Sequence, residues 1–204
     1  MTLQRRYKSS LKVLTATFVL VLVAGFDRGS HFIEVVLGES GLFVDIQAAN
    51  SDHTTPRLLQ QVMPGADSFS EKEGEPPVYK AYRTDPASGE KVLIGYAFVT
   101  SDFPPEPSGY NGPVDTLIGM NLEGVIVGLE VIYHRESLRY IIGDFFSDEK
   151  WYVAQFLGMK ATNKFAIGRN GDIDAIAGAT ISSGAMSRGV RQTVRAVTEA
   201  YIKK

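Results

Sequence analysis

The residues best suited to chemistry lie in one run near the C-terminus, Asp174-Ala175-Ile176-Ala177-Gly178-Ala179-Thr180-Ile181-Ser182-Ser183. Gly178 and Ala179 carry so little side chain that a large group could approach the backbone there, and Thr180, Ser182 and Ser183 supply hydroxyls. A helix is expected immediately afterwards. The unpaired N–H groups of its first turn and the positive end of its dipole favour a phosphate without help from a lysine. An ordinary loop closed by a serine cap satisfies the same residues, so the run alone leaves both readings open.

The rest of the inventory narrows the chemistry. The 204-residue chain contains no cysteine, which excludes disulfides, thiolate metal sites, cysteine-ligated clusters and catalytic thiols. Any redox work therefore needs a bound cofactor. His31, His53 and His134 stand far apart, without the spacing of a metal site, so no metal is expected. A net charge of −2 gives no basic surface for neutralising phosphodiesters, and nucleic acid is not an expected partner.

The elements that must position the run read as α+β, an antiparallel sheet of hairpins with flanking helices. Thr55-Pro56 supplies a cap and a first-turn proline for a short helix through Val62, which Pro64-Gly65 stops. Phe69 to Pro77 is a surface loop. Val78 to Tyr82 and Val92 to Val99 alternate as a hairpin around Asp85 to Gly89, and Val114 to Met120 with Val125 to Tyr133 forms a second strand pair. Between the hairpins, Ser101 to Pro113 is a loop stiffened by prolines and freed by Gly109 and Gly112, the kind that lines sites. Ser147 to Phe156 reads as a helix with Trp151 and Phe156 in the core. Ser183 to Lys204 reads as an amphipathic helix with Val190, Val194, Val197 and Tyr201 on one face.

Ahead of this domain, assigned to residues 55–204, Arg5, Arg6, Lys8 and Lys12 precede the uncharged stretch Val13 to Phe26. Basic residues followed by an apolar run of about 14 residues, shorter than the ~17–25 of a full span, are the pattern of an export signal or a short anchor. Residues 1–28 are accordingly expected to be a signal peptide or N-terminal membrane-anchor helix, and residues 29–54 a juxtamembrane linker. The bulk of the chain would then lie on the periplasmic or extracytoplasmic side.

Asp174-x-x-Ala-Gly-Ala-Thr180 resembles the attachment motif of FMN-binding domains of the RnfG, NqrC and NosR families. Pro64-Gly65-Ala66, Val78 to Ala81, Gly95 to Phe98, Gly109 to Pro113, Gly124 to Ile126 and His134-Arg135-Glu136-Ser137 follow the family's order. The run from His134 through Gly143 is most similar to the NosR branch. In these families a flavin transferase joins FMN through its phosphate to the motif threonine. The resemblance thus implies a phosphoester on Thr180, with Asp174, Gly178 and Ala179 serving transferase recognition and close approach of the phosphate. It further implies Ile181, Ser182 and Ser183 beside the cofactor, His134 and Glu136 near the flavin, and Tyr110 with Gly112 on the neighbouring loop. Ala177 departs from the serine or threonine usual before the glycine.

The function implied is an exported electron carrier working between a quinol- or iron–sulfur-linked membrane donor and a respiratory acceptor. A flavin-dependent reductase of a small substrate is one alternative, although no substrate-binding motif accompanies it. A flavin-free assembly or sensing module, with Thr180 as a cap, is the other.

Overall fold

The computed structural model describes residues 53–136, Phe146 and 150–203, together with three strand segments nearer the N-terminus. The chain divides into two units, Met1–Asp52 and His53–Lys204.

In the first unit, β1 (Val19–Val23), β2 (Phe32–Gly38) and β3 (Gly41–Asp45) form an antiparallel sheet in that order. The described part of the apolar stretch expected as a signal or anchor helix is therefore a strand, with Val19 paired to Val36 and Val23 to Phe32. Its composition explains the difference, because three of the five residues of Val19–Val23 are β-branched valines, which pack better on a pleated surface than in a helix. The expected linker contains the β2–β3 hairpin. The rest of the N-terminal expectation lies outside the described residues, and among those described no helix is long and apolar enough to cross a membrane.

The second unit begins with α1 (Pro56–Val62), where the Thr55 hydroxyl accepts from Leu58 N at 3.3 Å, as a cap should. A five-stranded sheet follows as a meander: β4 (Ser68–Phe69), β5 (Tyr79–Thr84), β6 (Lys91–Val99), β7 (Val114–Asn121) and β8 (Ile126–His134), each antiparallel to the next. Both expected hairpins are present, and β4 adds a short strand within the segment read as loop. Then come α2 (Lys150–Ala154) and α3 (Thr180–Val197), and a wider π-helical turn, Thr198–Ile202, ends the chain's last helix.

Strand alternation divides the core between the two faces of the sheet. Tyr96 and Phe98 of β6 pack on one face with Met186, Val190, Val194 and Val197 of α3, while Ala97 and Val99 pack on the other with Leu59 and Val62 of α1. Tyr201 joins the α3 face as expected and donates its hydroxyl to the Pro76 carbonyl at 2.6 Å. Trp151 corrects the sequence expectation. Five residues of helix turn Trp151 away from Phe156, so Tyr152 and Phe156, four apart, share the buried face, and Trp151 is 45% exposed.

α1 reaches the sheet where two glycines are paired across β7 and β8, Gly119 with Gly128. A methyl group at either would overlap the Val62 backbone, so the absence of side chains there admits the helix end. Gly128→Ala should lower stability by about 1–3 kcal/mol, the usual cost of overpacking, as read by thermal denaturation. An unchanged Tm would mean that α1 does not rest on this pair.

Candidate functional site

The helix expected from Ser183 starts three residues earlier. Ala179 takes the cap position, and the first bond within α3 runs from Ser183 N to the Ala179 carbonyl at 2.9 Å. The N–H groups of Thr180, Ile181 and Ser182 therefore precede the helical ladder. Ser183 is not the cap. Its hydroxyl oxygen instead accepts from Ile176 N at 3.2 Å, drawing the preceding loop onto the helix. Its carbonyl accepts the Tyr152 hydroxyl at 2.7 Å. Burial raises the Tyr152 phenol above its ordinary value, which keeps it protonated as that donor.

The three hydroxyls of the run thus have different fates. Ser182 and Ser183 are buried, and Ser182 Oγ accepts from Tyr110 N at 3.4 Å. Thr180 is exposed at the first position of the helix. Next to it the Ala179 N–H donates to the Ile176 carbonyl at 3.0 Å, closing a turn in which Gly178 takes a φ of 79°. A side chain at Gly178 would meet nothing, so the turn leading into Thr180 is open on that side. Ile181, on the same turn, is 59% exposed.

The loop between β6 and β7 is carried to this helix end by two anchors. At its tip, Gly109 N donates to the Gly112 carbonyl at 2.6 Å, and Gly112 takes a φ of 123°. Asn111 N donates to Glu136 Oε1 at 3.4 Å and its side-chain amide to the Arg135 carbonyl at 2.6 Å. A side chain at Gly109 would meet Glu136 Oε1, so the carboxylate would have to shift to admit one where the loop crosses it. Tyr110, on this loop, is 72% exposed.

His134 and Glu136 are both interior. Glu136 is 1% exposed and holds the loop tip. His134 accepts from Glu136 N on Nδ1 at 3.3 Å and meets Phe146 edge to face at 5.3 Å. The fold therefore brings Tyr110, Gly112, Glu136 and Ser182 together at the start of α3, beside the Asp174–Thr180 turn. His134 joins them through Glu136 N.

At the base of the loop, Thr100 is buried and donates its hydroxyl to Glu106 Oε1 at 3.3 Å, while accepting from Thr116 N at 2.9 Å. Glu106 faces Asp115. Desolvation, then the neighbouring Asp115 carboxylate, pushes Glu106 from its ordinary 4.5 up to about 8. Burial raises Asp115 too, with the hydrogen bond to Glu106 and then His53 pulling it back, so the pair keeps one proton in neutral solution. Nothing in the order of residues marks this pair, whose members sit on opposite sides of the loop they close.

As a cofactor site, the geometry fits a phosphate and a flat ring. It offers an exposed hydroxyl, helix N–H groups free of the ladder, open space over Gly178, and exposed apolar side chains at Tyr110 and Ile181. Among the described residues no cluster could hold a metal ion.

The folded state retains a Glu106 proton that the unfolded chain releases above about 4.5, so stability should fall as pH rises from there to about 8 and then level off. Glu106→Gln should flatten this slope in urea titrations across that range. An equal slope in the variant would show that the pair does not share a proton.

Comparison with known proteins bears on this site. Residues 109–195 match the family model of the FMN-binding domain, a span that runs from Gly109 through Glu136 and the Asp174–Ser183 turn into α3. A component of the ion-translocating oxidoreductase complex of Vibrio atlanticus is 31% identical over 102 residues, 46% of each chain. A component of the proton-translocating ferredoxin:NAD(+) oxidoreductase complex of Clostridium ljungdahlii is 28% identical over 136 residues, 65% of this chain and 66% of its own. The counterpart from the ion-translocating oxidoreductase complex of Stutzerimonas stutzeri is 30% identical over 139 residues, 66% of this chain and 58% of its own. The chain thus spans about half to two thirds of the length of these relatives.

Proposed function

We propose that the chain is an electron carrier of the FMN-binding domain type, whose family model its residues 109–195 match, and that it holds FMN covalently through a phosphoester on Thr180. The observation that carries this reading is the sorting of the hydroxyls. Ser182 and Ser183 are spent inside the fold, and Thr180 alone of the three stands exposed, two residues after a glycine turn with open space around it.

Attachment needs an activated flavin phosphate, such as a flavin dinucleotide brought by a flavin transferase. The Thr180 Oγ–P bond forms as the phosphoanhydride bond of the donor breaks. A nucleoside monophosphate leaves, and the hydroxyl proton passes to a base on the transferase. No redox change accompanies the transfer.

The N–H groups at the start of α3, with the helix dipole behind them, would hold the phosphate of the bound cofactor. Tyr110 and Ile181 offer apolar surface to the ring, and Glu136 and Ser182 hold the Tyr110 loop in place. FMN supplies the one- and two-electron chemistry that these side chains lack. A covalent bond keeps the cofactor on a protein working outside the cytoplasm, where export directed by the basic and apolar N-terminus would leave it.

The relatives are named as components of ion-translocating oxidoreductase complexes, which supports membrane redox partners for this chain also. We assign it a donor linked to quinol or iron–sulfur centres and a respiratory acceptor. The resemblance of His134 to Gly143 to the NosR branch supports an acceptor of that respiratory type.

Co-expression with a flavin transferase should raise the intact mass by one FMN less water, with the adduct mapped to the Thr180 peptide and abolished in Thr180→Ala. A folded, unlabelled domain in the presence of active transferase would overturn the covalent link. Its visible absorbance would then decide between reversible flavin binding and a flavin-free module.

A further inference from the structure

Gln155, just past α2, belongs to none of the motifs above, yet its side chain grips the attachment segment. Asp174 N donates to Gln155 Oε1 at 2.8 Å, and Gln155 Nε2 donates to the Asp174 carbonyl at 3.1 Å. Adjacent antiparallel strands hold a residue by the same exchange of both main-chain groups, and only an extended residue presents its N–H and C=O to one partner. A half-buried side-chain amide here performs the task of a strand.

The segment is held elsewhere as well. Upstream, the Asp172 carboxylate accepts from the N–H groups of Lys164, Phe165 and Ala166 at 2.9, 3.1 and 2.8 Å. Partial desolvation works the other way, but these donors keep Asp172 below the ordinary carboxylate range, hence ionised in neutral solution. Downstream, Ile176 is tied to Ser183 and Ala179 to Ile176. Asp174 is exposed, and Gln155 is the side chain that fixes its backbone.

We propose that Gln155 is a positioning residue for attachment of FMN at Thr180, an inference that rests on the carrier reading above. By holding Asp174 through both its N–H and its C=O, it sets the spacing between the Asp174 carboxylate and the Thr180 hydroxyl, which on the carrier reading the transferase engages together. Gln155 touches no reacting atom. The bonds made and broken are those already given, Thr180 Oγ–P formed and the donor phosphoanhydride cleaved. Without the clamp, the transferase must order the segment as it binds, and that cost falls on association rather than on the chemical step.

The test is the initial rate of FMN adduct formation on the full chain, followed by intact mass at varied protein concentration with a flavin transferase and a flavin dinucleotide. Gln155→Leu keeps the bulk and loses both hydrogen bonds. Gln155→Glu keeps the acceptor for Asp174 N and loses the donor. We expect KM for the protein substrate to rise roughly tenfold in Gln155→Leu, equivalent to about 1.4 kcal/mol, with kcat within about twofold, and Gln155→Glu to fall between. Hydrogen exchange in the 173–179 peptide should quicken in the same order while the melting transition persists. If Gln155→Leu fails to fold, Gln155→Glu carries the comparison. A KM equal to that of the parent chain in a folded variant overturns the positioning role and leaves the carrier reading intact. A parent chain that takes no FMN overturns both.

Discussion

Ser183 joins three parts of the molecule that are otherwise separate. Its hydroxyl oxygen receives the Ile176 N–H, its carbonyl receives the Tyr152 hydroxyl, and its own N–H opens the α3 ladder at Ala179. All of this happens in a fully buried place, where an unmet polar group is costly, so the three bonds stand or fall together. Through them the loop, α2 and α3 are fixed against one another. Thr180 is exposed because its neighbours two and three residues along are turned inward.

The sheet acts as the floor for this arrangement. Packing of Phe98, Ile118 and Met120 against Met186, Val190 and Val194 sets the height of α3 above the strands. With the helix end so placed, the loop between β6 and β7 can reach Ser182, although Tyr110 and Ser182 are 72 positions apart. Glu136, at the end of β8, holds the same loop from below. The site is thus framed by one helix start, one strand end and one loop, the first two located by the core and the loop bonded to both.

Much of this is legible in the residues. The hairpins follow from alternation around Asp85–Gly89 and Asn121–Gly124, and α1 from Thr55-Pro56. The face of α3 follows from Val190, Val194, Val197 and Tyr201. The Asp174–Thr180 motif points to the right helix end. What stays hidden depends on three-dimensional neighbours. The start of α3 is displaced from its expected place because a serine that looks like a forward cap turns its oxygen back to Ile176. Trp151 leaves the core because Tyr152, rather than its neighbour, pairs with Phe156 at helical spacing. The valine-rich stretch Val19–Val23 is equally apolar as strand or helix, and hydrophobicity alone does not choose. Gln155 carries no signal at all, since a glutamine 19 positions from its partner resembles any other polar residue at a helix end.

The meander has a consequence in time. Every strand of the five-stranded sheet pairs with its neighbour in sequence, so the sheet can assemble from local contacts as the chain emerges. α3, by contrast, is the last major element, and both the hydroxyl it exposes and the loop it receives depend on its docking. A ribosome must release every strand of the sheet, and α3 after them, before Thr180 stands on a helix at all. Completion of the acceptor site thereby reports that the domain ahead of it has been made, so an unfinished chain has no helix end on which to carry a cofactor.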